Sequence, residues 1–214
     1  MAQNNRNYQK EMEKMIRELD GQRKSLLLHS CCAPCSSAVL EKLQEIFEIT
    51  VFYYNPNISE DVEYRKRVEE QKRLIEALNQ KKPSCPIKII NGDYEPREFY
   101  KIAKGLETCP EGGERCFKCY ALRLEKTAQL AKEGKYDFFT TTLTISPLKN
   151  AGKLNEIGEE MASKFETTFL PSDFKKKEGY KRSIELSKEY DLYRQNFCGC
   201  AFSKAESLKR EKNV

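Results

Sequence analysis

Apolar residues recur along this chain in two periods, and their alternation lays out its elements. Met12, Met15, Ile16 and Leu19 share one helical face and predict an N-terminal helix over residues 5–20. Ser25 to His29, with Leu26-Leu27-Leu28 at its centre, is a short buried strand. A helical stripe follows at Val39, Leu40, Leu43 and Phe47. Ile49 to Tyr54 then alternates as a second strand, ended by the turn Asn55-Pro56-Asn57. Ser59 with Glu60 and Asp61 caps a long charged helix reaching about Leu78. Ile87 to Ile90 is a third strand, and Pro96 opens a short helix. Residues 109–116 are loop-like and lead into a helix from about Cys119 to Glu133. Phe138 to Thr142 is a fourth strand. Leu154, Ile157, Met161 and Phe165 form another helical stripe, and Thr167 to Leu170 a fifth strand. Ile184, Leu186 and Tyr190 suggest a further helix before a charged tail that starts at Ser203.

Strands alternating with helices predict an α/β fold: a mostly parallel sheet with helices on both faces, a three-layer core of the nucleotide-hydrolase kind. The 214 residues suit a single domain spanning 1–214, with a cysteine-bearing insertion at about 95–120. No apolar run approaches the roughly 20 residues of a membrane-spanning helix. The first residues lack a secretory pattern, so the expectation is a cytoplasmic monomer with no membrane partner.

The net charge of +5 is mild, but Lys175-Lys176-Lys177, Lys181, Arg182 and Arg194 make a local basic stretch. Such a run is either a solvated helix face or the footprint of an anion such as RNA.

The cysteines change the picture most. Seven of the nine lie in three groups: Cys31-Cys32-Ala-Pro-Cys35, Cys116-Phe-Lys-Cys119 and Cys198-Gly-Cys200. In a reducing compartment, thiols gathered this way are metal ligands or redox catalysts before they are structural disulfides. Ligands of open α/β sheets bind at the carboxyl ends of strands, and the first strand runs straight into Cys31. No glycine occurs between Gly21 and Gly92, which makes a phosphate cradle at that turn improbable.

With a helix starting near Pro34, Cys32 and Cys35 lie in or beside its first turn, where the dipole favours thiolate. With Cys116 and Cys119, four thiolates complete a zinc site or an iron–sulfur cluster. The side chains of adjacent Cys31 and Cys32 diverge, which favours the cluster over one tetrahedral ion. Cys35 is left over and can hold a second metal. Cys198-Gly-Cys200 can form a small strained disulfide suited to reversible two-electron storage, supply metal ligands, or simply end a helix at Gly199.

Other candidates sit at strand ends. His29, the single histidine, is more often a hydrogen-bonded packing residue than a catalyst. Thr142, Ser146 and Lys149 follow the fourth strand and can hold a polar substrate, or merely cap it. Tyr54, Asn55 and Asn57 can stack a splayed base and bond its edge, or form an ordinary core and turn.

Taken together, several segments resemble the QueH family of epoxyqueuosine reductases. They are Leu28 to Cys35, Tyr54 to Ile58, Glu114 to Tyr120, Thr141 to Pro147, Asp173 to Tyr180 and Tyr193 to Cys200. The resemblance spans nearly the whole chain apart from the N-terminal helix and the tail. It implies reduction of epoxyqueuosine to queuosine in the anticodon loop of tRNA, the last step of queuosine biosynthesis, without cobalamin. It also implies a [4Fe-4S] cluster on Cys31, Cys32, Cys116 and Cys119, with Cys198 and Cys200 as a redox-active pair. An additional mononuclear iron that uses Cys35 is compatible with it. The expected partners are tRNA containing epoxyqueuosine and an external electron donor.

Turning an epoxide into an alkene takes two electrons and two protons, and Asp173 or a tyrosine can supply a proton. Tyr54, Asn55, Asn57, Thr142, Ser146, Lys149, Lys175, Lys176 and Arg194 are the substrate-binding candidates, and the Lys175–Lys177 stretch with Lys181 and Arg182 would meet the phosphates. The competing classes are a zinc-stabilised RNA-binding module and an ATP-dependent sulfur-transferring tRNA modification enzyme.

Overall fold

The computed structural model describes residues 6–212. Its centre is β1 (Lys24–His29), in which Leu26, Leu27 and Leu28 are all fully buried. Leu26 and Leu28 pack to one face and Leu27 to the other, so the unbroken leucine run is a strand covered on both sides. Full burial of each is worth about 1.5–3 kcal/mol.

β2 (Phe47–Tyr53), β3 (Lys88–Asn91) and β4 (Phe138–Thr141) complete an all-parallel sheet of order β3-β2-β1-β4. Leu28 is in register with Val51 on one side and Thr140 on the other. Eight helices surround the sheet among the described residues. α1 (Tyr8–Glu18), α2 (Ala33–Leu43), α3 (Asp61–Lys81) and α7 (Gly179–Glu189) contribute Met12, Leu40, Leu74 and Leu186 to the core on one face. α5 (Glu114–Glu133) and α6 (Ala151–Phe165) cover the other with Leu124 and Leu154. α4 (Pro96–Ala103) and α8 (Ala201–Lys212) meet through Phe99 and Phe202. None of these helices is long and apolar enough to cross a membrane.

The α/β three-layer expectation is met, and its departures are local. Residue 5 of the expected N-terminal helix lies outside the described residues, as do the last two of the tail; the described tail is α8. Phe47 does not extend the second helix: α2 stops at Leu43, and Phe47 is the first residue of β2. Ser59 does not cap α3. Its hydroxyl accepts from Ala201 N at 2.8 Å, tying α8 to the start of α3.

The fifth strand shrinks to a single parallel bridge between Phe139 and Phe169. Pro171 has no N–H to extend a ladder. Asn155 then captures the next residue, its Oδ1 accepting from Ser172 N and its Nδ2 donating to Ser172 O, both at 2.8 Å. α5 begins at Glu114, five residues earlier than expected, after Gly112 (φ +88°) and Gly113 break the loop. Cys116 and Cys119 therefore stand on the first turns of a core-covering helix.

β2 and β3 extend the sheet to one side of β1 and β4 to the other. The carboxyl ends of β1 and β4 thus flank the point where strand order reverses, the place such sheets leave open for a ligand.

Candidate active site

Two cavities of about 140 and 20 Å³ open at that point. Cys31, Cys32 and Cys35 line the larger, Cys116, Cys119 and Cys200 the smaller, and Cys198 lines both. All seven grouped cysteines are thereby brought to one place as free thiols. Cys85 and Cys109 lie apart. Cys109 contributes a carbonyl that, with Leu106 O and Glu107 O, receives Arg115 Nη1.

The first group is built by the turn from β1 into α2. Cys32 is the N-cap of α2 and is extended (φ −175°), with Pro34 in the first turn. Cys31 leans on Thr142 at the end of β4: its N–H donates to Thr142 Oγ1 at 3.3 Å, and Sγ lies 3.5 Å from the same oxygen. The sulfurs of Cys31, Cys32 and Cys35 all lie within 4.8 Å of one another. Three thiolates about 2.3 Å from one soft ion stand about 3.8 Å apart, so this triad can take a metal with little movement. Cys116 and Cys119 are not part of that close group. They approach from α5, and Gly112 N donates to Cys116 Sγ at 3.3 Å.

Electrostatics divide the thiols. Hydrogen bonds from Cys32 and Cys35, with the Lys149 and Arg123 charges, hold Cys31 well below the usual thiol range. Hydrogen bonding to Cys31, with burial and the Cys31 charge behind it, in turn pushes Cys32 up to about 11 and raises Cys35. Burial pushes Cys119 up to about 11 and raises Cys116. In the third group the sulfurs are 3.5 Å apart. A hydrogen bond from Cys200, helped by Lys149, brings Cys198 down to about 6 while Cys200 rises. One member of each of two groups is thus the natural thiolate.

The Cys198-Gly-Cys200 backbone is held at several of its polar atoms. Arg67 Nη1 donates to Cys198 O at 3.0 Å and Asn57 Nδ2 at 3.4 Å. Cys198 N donates to Ser203 Oγ at 3.1 Å, and Gly199 O accepts from Ser59 N at 3.0 Å. Gly199 itself has φ +118°, which L side chains rarely adopt.

The substrate candidates separate. Ser146, Lys149 and Arg194 line the larger cavity. Thr142 orients Cys31. Asn55 is buried, its Nδ2 donating to Ser30 O at 2.9 Å and its Oδ1 accepting from Arg123. Tyr54 is 4% exposed, with its ring stacked on Phe52 (centroids 5.7 Å apart), so it packs the core. Asp173 is paired with Lys175 at 2.9 Å and lines neither sulfur cavity.

The basic stretch is largely neutralised: Lys177 pairs with Glu13, Lys181 with Glu178 and Arg182 with Glu41. Lys176 is exposed beside Arg182, away from the thiols. Arg194 donates to two neutral oxygens, Ser183 O and Ser187 Oγ.

Sequence reasoning passed over Arg123, Glu111 and Tyr180. Arg123 is 3% exposed and lines both cavities. Its Nε donates to His29 Nε2 at 3.2 Å; the same ring nitrogen lies 3.1 Å from Tyr54 O, and Nδ1 lies 2.8 Å from Thr141 Oγ1. Burial and the Arg123 charge lower His29 to about 3, so it is the neutral packing histidine its position suggested. Arg123 and Lys149 have no carboxylate partner among the described residues. Arg123 is buried and Lys149 half-buried; cations so placed favour anionic neighbours, and the surrounding groups that can become anionic include the thiols. The signal was present: Arg123 lies four residues after Cys119, one turn on along the same helix face.

A family model described as "Epoxyqueuosine reductase QueH" matches residues 26–206. A protein of Staphylococcus epidermidis with the same name is 44% identical over 201 residues, 92% of this chain and 84% of that protein. One from Streptococcus pyogenes is 42% identical over 92% of this chain and 78% of its own length. One from Thermotoga maritima is 35% identical over 89% and 94% respectively.

Proposed function

The chain belongs to the epoxyqueuosine reductase QueH family and is an oxidoreductase, an epoxyqueuosine reductase, and we propose that it acts on epoxyqueuosine within the anticodon loop of a tRNA as the last step of queuosine synthesis. The observation that supports a redox site most directly is the gathering of seven thiols around Arg123 and Lys149, two cations with no carboxylate partner among the described residues.

An all-sulfur donor set that encloses positive charge fits a thiolate-bound, negatively charged metal group. In this reading Cys31, Cys32, Cys116 and Cys119 hold a [4Fe-4S] cluster, and Cys35 remains for an additional iron. Bound there, such groups supply electrons singly and a Lewis acid for the epoxide oxygen.

The chain's own residues account for the remaining chemistry. Oxidation of the Cys198 and Cys200 thiols to a disulfide yields two electrons and two protons. Those convert an epoxide to an alkene plus water, and an external donor must then reduce the disulfide again. Of the hydroxyls on the wall of the larger cavity, Ser146, Tyr180 and Ser183, the tyrosine is the most acidic and is the proton donor suited to the leaving oxygen. Lys149 and Arg194 face the same space and suit the anionic backbone of a splayed nucleotide. Thr142 keeps Cys31 in place, and Arg123 holds the charge balance between the sulfur groups.

The test pairs iron and labile-sulfide analysis of anaerobically purified protein with nucleoside analysis of epoxyqueuosine-containing tRNA treated with it. Brown protein carrying iron and sulfide, together with conversion to queuosine, is the expected result. Colourless protein with one zinc and unchanged tRNA overturns it.

A further inference from the structure

α8 begins on the third cysteine group itself. Lys204 N donates to Cys200 O at 3.0 Å, the first bond of the helix, which makes Cys200 its N-cap and Ser203 the third residue of its first turn. An N-cap side chain ordinarily offers an oxygen to the N–H of that third residue. Here a sulfur takes the part: Ser203 N donates to Cys200 Sγ at 3.3 Å. Ser203 answers from its side chain, its Oγ accepting from Cys198 N at 3.1 Å. The two contacts make a reciprocal cap like a capping box, with the return bond landing on the first cysteine of the pair.

Ser203 is 1% exposed, and its hydroxyl is used in both directions. It donates to Glu111 Oε1 at 3.3 Å, and Arg210, further along α8, donates to Glu111 Oε2 at 3.0 Å. Among the described residues Glu111 is the one carboxylate on the walls of the two sulfur cavities. It holds Ser203 rather than Arg123 or Lys149, the cations on the same walls. Ser203 itself lines neither cavity, so it acts through the cysteines.

The cap distinguishes the oxidation states of the pair. A thiol or thiolate sulfur has electron density to share with an N–H at a helix N-terminus, and the helix dipole adds to that attraction. A disulfide sulfur is a poorer acceptor. Forming the disulfide also draws the two sulfurs together from 3.5 Å, against the hold of Ser203 on both residues.

We propose that Ser203, anchored by Glu111, is a positioning residue that holds Cys198 and Cys200 in the dithiol form, so that the disulfide left by each turnover is readily reduced again. The proposal rests on the reading of this pair as the electron source of the reaction. A dithiol reductant closes the balance. One of its thiolates attacks a sulfur of the Cys198–Cys200 disulfide, its second thiolate displaces the protein from the mixed disulfide, and the pair takes up two protons while the reductant becomes a disulfide. Stabilising the reduced form of a pair in this way makes its disulfide the stronger oxidant.

The test equilibrates anaerobically purified protein with buffers of reduced and oxidised glutathione and reads the Cys198–Cys200 disulfide by acid quench, alkylation and mass spectrometry. Loss of one net hydrogen bond is a factor of about five, so the constant for disulfide formation should rise about fivefold in Ser203→Ala. Ser203→Thr keeps the hydroxyl and should return to the parent value. Hydrogen exchange on the parent needs no variant: amides at the start of α8 should exchange about fivefold faster with the pair oxidised than with it reduced. A constant unchanged or lowered in Ser203→Ala, or raised as much in Ser203→Thr, overturns the cap, and so does α8 exchange indifferent to the state of the pair. A parent protein that forms no Cys198–Cys200 disulfide at any glutathione ratio overturns the electron-source reading, and the proposal falls with it.

Discussion

Replacing Gly199 by alanine tests whether the cysteine loop is as tightly held as its contacts imply. Two separate terms arise. The backbone at φ +118° strains any residue with a Cβ by about 1–2 kcal/mol. The methyl group would also stand 2.8 Å from Ile58 Cγ1 and 3.2 Å from Arg67 Nη1, the nitrogen that donates to Cys198 O. Ile58 is 1% exposed and cannot swing into solvent, so overpacking adds about 1–3 kcal/mol. The sum is about 2–5 kcal/mol. For a chain of this size each kcal/mol moves Tm by about 2–4 °C, which puts the expected drop on the order of 10 °C. Gly105 is the internal control. It has φ +80° but nothing within 4 Å of an added Cβ, so Gly105→Ala carries the strain without the collision. Thermal unfolding of both variants, followed by circular dichroism under anaerobic conditions, isolates the contact term as their difference. Gly199→Ala should also lower turnover by displacing Arg67 from the loop. A Gly199→Ala drop no larger than that of Gly105→Ala would refute the reasoning.

Cys32→Ala should lose iron, sulfide and epoxide reduction together, whereas Cys198→Ser should keep iron and sulfide and stop turnover; metal analysis beside a tRNA nucleoside assay separates the two, and an active Cys198→Ser enzyme removes the dithiol from the mechanism. Removing a phosphate contact lowers the slope of log affinity against log salt by about one, so tRNA binding by Arg194→Ala and Lys149→Ala should show that loss. Lys181→Ala, whose lysine is paired with Glu178, should not. Asp137 accepts from Ser25 Oγ at 2.7 Å and Ser25 N at 2.8 Å, and these bonds hold its carboxyl below the usual carboxylate range. A depressed folded-state pKa stabilises above the unfolded value near 3.9 and fades as pH falls through the folded one. The Tm advantage of the parent over Asp137→Asn should therefore be full near pH 6 and shrink below about pH 4; a pH-independent difference contradicts the assignment.

How much of this was visible in the chain follows from the range of the forces involved. The leucine run of β1 and the stripes of α1 and α6 are local patterns, and each marked its element. Helix ends were less legible because tertiary partners decide them: Ser59 does not cap its own helix because its hydroxyl takes the first N–H of α8 instead, and the fifth strand is lost to Pro171 and the Asn155 clasp on Ser172. The cysteine groups announced themselves by spacing, yet that spacing could not say that Cys198 lines both cavities. Tyr54 looked available at a strand end and is instead packed on Phe52. Arg67, Arg115 and Arg123 were invisible among 38 basic residues, because burial of a charge leaves no mark on the sequence.

The route by which the last sulfurs reach this site has a consequence for timing. Cys31, Cys32, Cys35, Cys116 and Cys119 are all made before Cys198, which follows Cys119 by about 80 residues and lines both cavities. At about 5–20 residues per second, the ribosome releases the first five thiols several seconds before the pair that joins them. A nascent chain therefore passes through a stage in which the metal-binding half of the chamber is present and its closing wall is not. That interval, set by the order of residues in the chain alone, is when the first five thiols are most open to a soft metal, and also to oxygen.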